Sequence, residues 1–317
     1  MLKKIIPKNA RSKRALQKRE PKIEENVKKA IFIRSSSTSQ IVNEALSDLC
    51  KLKKPDAINF TKKNNIHPFD DDTSLNFFCE KNDTSLFVVG SHTKKRPNNL
   101  TFIRMFDGQI LDMIEVGIEN AKSLKEFKTS KCAIGMKPLF LFNGDLFENS
   151  HVHKTFKNIL LDFYRGEAVK NINLSGLEHI ISVTAINSTL EQSNDSRAMP
   201  GLIYFKVYAI KLKKSGEKTP RVELEEMGPS YVFRVRRFKF ANDDVYKLAT
   251  KVPKINKPKK IKNIDVNEMG DKVGRIHLGK QDLSKLQTRK MKGLKRVAED
   301  YAEEYIEEIP ISKKQKV

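Results

Sequence analysis

Residues 30–55 read AIFIRSSSTSQIVNEALSDLCKLKKP, and the order of signals within them decides the fold class. Ala30 to Ile33 is a short apolar run with the look of a buried strand, and a Ser/Thr loop follows it. Ile41, Val42, Ala45, Leu46, Leu49 and Leu52 then recur at helical spacing, with a Ser or Thr among 37–39 as N-cap and Pro55 as the stop. Strand, polar loop and helix in that order open an α/β unit.

Working outward, DDDTSLNFFCEKND (70–83) predicts a second helix with an acidic start, and SLFVVGSHT (85–93) a strand. LTFIRMF and QILDMIEVGI, joined by Asp107-Gly108, form the strongest hairpin signal in the chain. ENAKSLKEF (119–127) predicts a short helical segment that ends this half. The pattern then restarts. CAIGMKPLFLFNGD (132–145) predicts a strand closing in an Asn-Gly turn. HVHKTFKNILLDFYRG (151–166) predicts an amphipathic helix with Val152, Phe156, Ile159, Leu160 and Phe163 on one face. HIISVTAI, GLIYFKVYAIKL and RVELEEM predict three strands, and YVFRVRRFKF a fourth beyond Gly228-Pro229. The expectation is a mixed α/β (α+β) core over 30–240, built of two related halves, about 30–130 and 131–240, without a close internal sequence repeat.

The net charge of +22 is informative through its distribution. Residues 1–29 hold 11 Lys/Arg against 3 Asp/Glu, and residues 245–296 hold 16 against 4. The tail 297–317 holds 3 against 6, which leaves only +5 for residues 30–244. A nearly balanced core between a basic N-terminal arm (1–29) and a basic C-terminal extension (241–296) suits wrapping of a polyanion. Solubility or import tails are the plainer reading. Within the extension, KVPKINKPKKIK (251–262) reads as an extended linker and 281–296 as a basic helix, followed by a solvated tail carrying AEDYAEEYIEEIP.

Cys50, Cys79 and Cys132 lie far apart with no C-x-x-C spacing, which fits a reducing compartment and no zinc site. The first residues lack the apolar region of a signal peptide, and no run approaches the ~20 apolar residues that span a bilayer. A soluble, nuclear or nucleolar protein is expected, with KNARSKRALQKR (8–19) as a candidate import signal.

Candidate RNA contacts are the cations of the two arms and three groups in the core. The N-terminal arm offers Arg11, Lys13, Arg14, Lys18 and Arg19. In the core, Lys62 and Lys63 occupy a polar segment, and Lys94, Lys95 and Arg96 a turn between strands, where side chains reach phosphates without disturbing packing. Arg234 and Arg236 share the face of their strand opposite Phe233 and Val235. They could equally be the charges that blunt a solvated edge strand. The extension supplies Lys272, Arg275 and Lys280, then Lys285, Arg289, Lys290, Lys292, Lys295 and Arg296 spread around most of a helix. No aromatic residue interleaves with these, so phosphate and shape recognition is expected rather than base stacking.

Catalysis finds little support. Asp145, Glu148, His151 and His153 form the one candidate metal cluster, which would make the chain an RNA-processing nuclease, and His67 lies beside three carboxylates without a nucleophile. Phosphate-loop, dinucleotide, nucleophile-elbow and zincin motifs are absent from the sequence. No cofactor is implied.

Two stretches, KPLFLFNGD (137–145) and MGPSYVFRVRR (227–237), resemble the Brix domain of eukaryotic ribosome-assembly factors. Ser230 departs from the arginine expected after the Gly-Pro. PKNARSKRALQKRE, LKKPDAINFTKKNNIHPF, FFCEKNDTSL, KKRPNNLTFIRMF and MGDKVGRIHLGKQDLSKLQTRKMKGLK further resemble a member of that family acting on the large subunit. The resemblance implies two structurally similar α/β halves like anticodon-binding domains. It implies a heterodimer with the regulator of ribosome synthesis protein, which docks 5S rRNA and its two ribosomal proteins onto the pre-60S particle in the nucleolus, with contacts to large-subunit rRNA. A small-subunit role within the same family is the alternative.

Overall fold

In a computed structural model of the chain, the described residues are 6–20, 25–167, 169, 171–187, 201–217, 219–253, 261–267, 269, 271–276 and 278–279. They fall into two compact units, residues 1–256 and 257–317. In the first unit, helix α1 (Ala10–Arg19) starts on a capping box in which Asn9 and Ser12 exchange bonds. Strand β1 (Ala30–Ser35) leads into α2 (Gln40–Lys53), whose first turn is closed by Ser39 accepting from the Val42 amide. Then come β2 (Ala57–Asn64), α3 (Thr73–Asn82), β3 (Leu86–Ser91), β4 (Asn99–Phe106) and β5 (Gln109–Lys122). Asp107 and Gly108 make the β4–β5 turn with φ of 48° and 71°, the left-handed pair that a two-residue hairpin needs. The second half contains β6 (Leu139–Asn143), α4 (Leu146–Asn149), α5 (His151–Tyr164), β7 (His179–Ile186), β8 (Leu202–Lys213), β9 (Arg221–Phe240) and α6 (Asp243–Ala249).

All nine strands join one sheet in the order β2-β1-β3-β4-β5-β9-β8-β7-β6. The two halves repeat one pattern. A strand, a helix and a parallel strand are followed by two antiparallel strands, in β1-α2-β3-β4-β5 and again in β6-α5-β7-β8-β9. Their last strands, β5 and β9, pair antiparallel at the centre.

Four expectations need correction. Lys62 and Lys63, read only as part of a polar segment, belong to an edge strand, β2; two extra residues, Thr61 and Lys62, bulge where the register jumps from Ile33↔Phe60 to Arg34↔Lys63. Residues 119–122 extend β5, and only Leu124–Glu126 form a single 3₁₀ turn, because β9 offers a pairing partner as far as Lys122↔Ser230. The strand around KPLFLFNGD is confined to Leu139–Asn143. RVELEEM and YVFRVRRFKF are one 20-residue strand, β9, central rather than edge. Proline cannot donate to a ladder, and here Met227, Gly228 and Pro229 arch over a single β8 residue, between Lys206↔Ser230 and Tyr208↔Glu226.

The two faces of the sheet are covered unequally. On one face, α2 and α5 seal a single apolar core that spans both halves: Phe102 of β4 meets Phe156 and Phe163 of α5 at 5.6 Å each, and Phe156 reaches Phe233 of β9. On the other face the described residues form a second core in the first half alone, where α3 and Ile66 cover Ile31, Phe87, Val89 and Ile103. β1, β3 and β4 are therefore buried on both sides, whereas β7 alternates buried and half-exposed residues. No described element covers the second half's outer face.

Two buried polar centres fix the arrangement. Asp48 of α2, 1% exposed, accepts from the Ser123 hydroxyl (2.8 Å), the Leu124 amide (2.8 Å), Lys51 (3.0 Å) and the Tyr231 hydroxyl (3.2 Å). It thus pins α2 to the inter-half segment and to β9. Arg104 of β4 pairs with Asp112 of β5 and, at 2.9 Å, with Asp162 of α5, which also receives Lys28 at 3.0 Å.

Burial also sets a pH dependence. His153 of α5 has Nδ1 2.9 Å from the Ser150 hydroxyl and a buried Nε2 without a described partner, and burial holds its pKa below the ordinary 6.5. His179 is lowered by burial too, partly offset by Glu178. Both are kept neutral when folded but take a proton when unfolded, so stability falls as pH drops below about 6.5. Each contributes up to about 1.4 kcal/mol per pH unit until its folded pKa is reached. Urea midpoints at pH 7.5 and 5.5 measure this, and the drop is expected to shrink in His153→Gln; an unchanged drop would assign it to other groups.

In the second unit, β10 (Ile264–Val266) and β11 (Lys272–Gly274) form a small antiparallel hairpin. The predicted helix 281–296 and the tail 297–317 lie outside the described residues.

Candidate nucleic-acid interface

Asn99 of β4 and Glu115 of β5 are diagonal neighbours across the two strands, with the Asn99 Nδ2 donating to Glu115 Oε1 at 3.1 Å. Around this pair three guanidinium groups gather. Arg96, from the β3–β4 turn, has its Nε 3.7 Å from Glu115. Arg237 of β9 donates its Nε to Glu115 at 2.8 Å and lies 3.9 Å over the Phe69 ring. Arg236 donates Nη1 to the Pro97 carbonyl at 2.8 Å and to Asn99. Among the described residues three guanidinium groups gather about one carboxylate, and charge-assisted bonds hold their planes in place.

The strands explain this convergence. The ladder shifts register between Glu115↔Arg237 and Val116↔Val235, so Arg236 is an extra residue that directs its side chain across β5. Gly117 makes that passage possible, since a Cβ there would lie 2.4 Å from the Arg236 guanidinium carbon. The turn itself is closed by reciprocal Thr93 and Arg96 backbone bonds of 3.1 Å, and Asn98, at φ 50°, joins His92 and Ser39 beneath it. Lys94 and Lys95 are exposed at the tip. The structure therefore brings the KKR turn and two β9 arginines, Arg236 and Arg237, into one basic ridge.

Other candidates stand apart from the ridge. Arg234 is engaged by Glu119. Lys62 and Lys63 are exposed on the far edge strand, β2. Arg11, Lys13 and Arg14 are exposed on α1, which has no acidic residue in its first turn; Lys18 and Arg19 belong to the same helix, their side chains not described. In the second unit Lys272 opens β11 and the Arg275 amide closes the hairpin on Asn263 at 2.7 Å. Lys280, Lys285, Arg289, Lys290, Lys292, Lys295 and Arg296 lie outside the described residues.

Arg237 was missed in the sequence because strict alternation puts it on the Phe233 face. The visible sign was the Arg236-Arg237 doublet, which cannot place both charges outward without a bulge. The nuclease alternative finds no geometry: the His151 ring meets Phe240 edge-on at 5.1 Å and His153 is buried against Phe147. Among the described residues no group of three His, Cys, Asp or Glu could hold a metal ion, and no helix is long and apolar enough to cross a membrane.

The Brix domain family matches residues 35–237. A ribosome production factor 2 homolog of Schizosaccharomyces pombe is 49% identical over 98% of this chain and 97% of its own length. The human homolog of the same name is 51% identical over 85% of this chain and 84% of its own. A solved archaeal Imp4-like protein matches 67% of this chain and 99% of its own at 14% identity, with a TM-score of 0.32. The chain belongs to the Brix-domain family, and within it to the ribosome production factor 2 group of ribosome biogenesis factors.

Proposed function

We propose that the chain is a non-enzymatic assembly factor of the large ribosomal subunit. Paired with the regulator of ribosome synthesis protein, it brings 5S rRNA and its two ribosomal proteins to the pre-60S particle in the nucleolus. The observation that carries this reading is the segregation of charge: a net 20 positive units sit in residues 1–29 and 245–296, flanking a core that is nearly balanced. Such arms bind phosphate chains whatever their sequence, while the core is left to define position through protein contacts. The basic ridge at Arg96, Arg236 and Arg237 adds a rigid rRNA contact to the arms.

The bare outer face of the second half supports a protein partner. Among the described residues its edge strand β6 pairs with β7 alone and exposes Leu139 (39%) and Leu141 (43%), and Ser182, Thr184, Tyr204, Lys206 and Tyr208 line a shallow hollow beside it. The same face of the first half is closed by α3, so a partner helix or strand can complete the second half in the same manner. Leu141→Asp with Tyr208→Glu is expected to weaken the heterodimer at least about tenfold in calorimetry, about 1.4 kcal/mol, without moving the urea midpoint. Unchanged affinity would relocate the interface.

The deciding test of the function is ultraviolet crosslinking in cells followed by sequencing of the bound RNA. Reads concentrated on 5S rRNA and one neighbouring region of large-subunit rRNA are expected. Reads on small-subunit precursor RNA would overturn the assignment.

A further inference from the structure

β1, β2 and β3 run parallel, so their C-terminal ends and the β3–β4 turn lie at one end of the first half's sheet. Three segments gather there: RSSSTS (34–39), TKKN (61–64) and HTKKRPN (92–98). Together they carry six cations and no acidic residue. The three connections at the opposite end hold Asp56, Asp83 and Asp107 instead. Charge is thus polarised along the strands, although the core as a whole is nearly balanced.

Arg34 stands in the middle of the basic end. In the ladder it lies between Lys63 of β2 and Gly90 of β3, and it follows Ala30 and Phe32 on the face that α2 covers. The first turns of α2 press on Gly90, where a Cβ would lie 2.5 Å from the Val42 side chain. Arg104, Arg234 and Arg237 each meet a carboxylate, whereas half-buried Arg34 meets none among the described residues. The hydroxyl-rich loop 36–39 is fixed to the β3–β4 turn: the His92 amide donates to the Ser37 carbonyl at 2.9 Å, and the Ser39 hydroxyl to Asn98 at 2.7 Å. Lys62, Lys63, Lys94 and Lys95 are exposed on either side of it. Nearby acids are engaged or turned away. Gln40 donates to Glu44 at 2.9 Å, and Asp70, Asp71 and Asp72 lead into α3 on the opposite face.

Three features define the ligand. Cations gathered without acids set up a positive field that a polyanion relieves. With strands about 4.8 Å apart, the β2 lysines and the β3–β4 turn stand about 10–15 Å apart, a span that successive phosphates of one backbone fill. No Phe, Tyr or Trp occurs in the three segments, so bases have nothing to stack on. Strand ends held by their ladder suit the fixed phosphates of a duplex, which proteins recognise through shape and backbone.

We propose that Arg34, Lys62, Lys63, Lys94 and Lys95 form a seat for the phosphate backbone of an RNA duplex, centred on the 36–39 loop. The site rests on the RNA-binding reading above and adds Arg34 to it. It is distinct from the ridge: Arg34 and Lys63 belong to the α2 face of the sheet, whereas Arg237 lies over Phe69 on the other.

The test uses the full chain and a labelled RNA duplex of about 16 base pairs, read by fluorescence anisotropy across a salt series. Lys62→Gln with Lys63→Gln is expected to weaken binding at least about tenfold at low salt and to flatten the slope of log affinity against log salt by about 2. Arg34→Gln should flatten it by about 1, and Arg34→Lys should restore it. Lys214→Gln with Lys239→Gln removes the same charge from exposed positions elsewhere and should cost less than about twofold. Unchanged urea midpoints verify folding; if Arg34→Gln lowers its midpoint, the exposed lysine pair decides. Equal losses in the two lysine pairs would reduce the effect to bulk charge and overturn the site, while leaving the proposed function standing. So would a single-stranded RNA that loses more than the duplex in the variants. Loss of decaglutamate binding without loss of duplex binding would give the site to an acidic protein and overturn it as well. Failure of the unaltered chain to bind the duplex would overturn both the site and the RNA-binding reading.

Discussion

Removal of residues 245–317 is expected to abolish most of the affinity for 5S rRNA while the sheet remains folded and bound to its protein partner. The deleted part carries 19 Lys/Arg against 10 Asp/Glu, and +12 of that charge is concentrated in 245–296. α6, which the cut enters at Val245, contributes no buried residue to the core. The nine-stranded sheet and both apolar cores lie wholly within residues 30–240. If the arms neutralise about six phosphates, binding by the full chain falls roughly a thousandfold between 50 and 200 mM salt. The truncated chain should bind at least about a hundredfold more weakly at low salt, with a clearly shallower slope of log affinity against log salt. Filter binding across a salt series measures both quantities. Full affinity with an unchanged slope in the truncated chain would place RNA recognition on the core ridge instead.

Arg104→Ala is the substitution expected to destabilise the fold most, by about 3–5 kcal/mol in urea unfolding. Burial alone would make the Arg104 guanidinium harder to charge, but Asp112 and Asp162 outweigh it and raise its pKa. Removing the side chain leaves the buried Asp112 without its cation and unties β4 from α5 across the boundary between the halves. Asp162 suffers less, because Lys28 remains 3.0 Å away. Arg104→Lys should recover only part of the loss, since an ammonium cannot bridge two carboxylates in a fixed plane. Arg104→Met combined with Asp112→Leu removes both buried charges and should recover more than either change alone. A loss below about 1 kcal/mol in Arg104→Ala would show that the network is solvated and contributes little.

Local chemistry made much of the fold legible. The Ser39 cap, the Asp107-Gly108 turn and the apolar stripe of α5 each rest on residues a few positions apart, so their signals are intact in the sequence. The α/β class and the restart of the pattern near residue 131 followed from those signals, as did the exposed position of Lys94 and Lys95 in a turn. HIISVTAI was likewise legible as a strand, and it forms β7.

What depended on distant partners could not be read locally. β5 and β9 are far apart in sequence, and only their pairing reveals that β9 is central, crosses Gly228-Pro229 without a break and bulges at Arg236. Arg104 reads as an ordinary polar position on an alternating strand until α5 brings Asp162 against it. Whether a charge is free for phosphate or committed to a carboxylate is decided by such neighbours. The sequence by itself therefore determined the elements, the distribution of charge and the family resemblance, because these depend on local conformation and composition. Tertiary structure decided which cations form a ridge, which face is left bare and where a buried nitrogen lies unpaired. Those properties depend on pairings between residues distant in sequence, whose geometry no local pattern encodes.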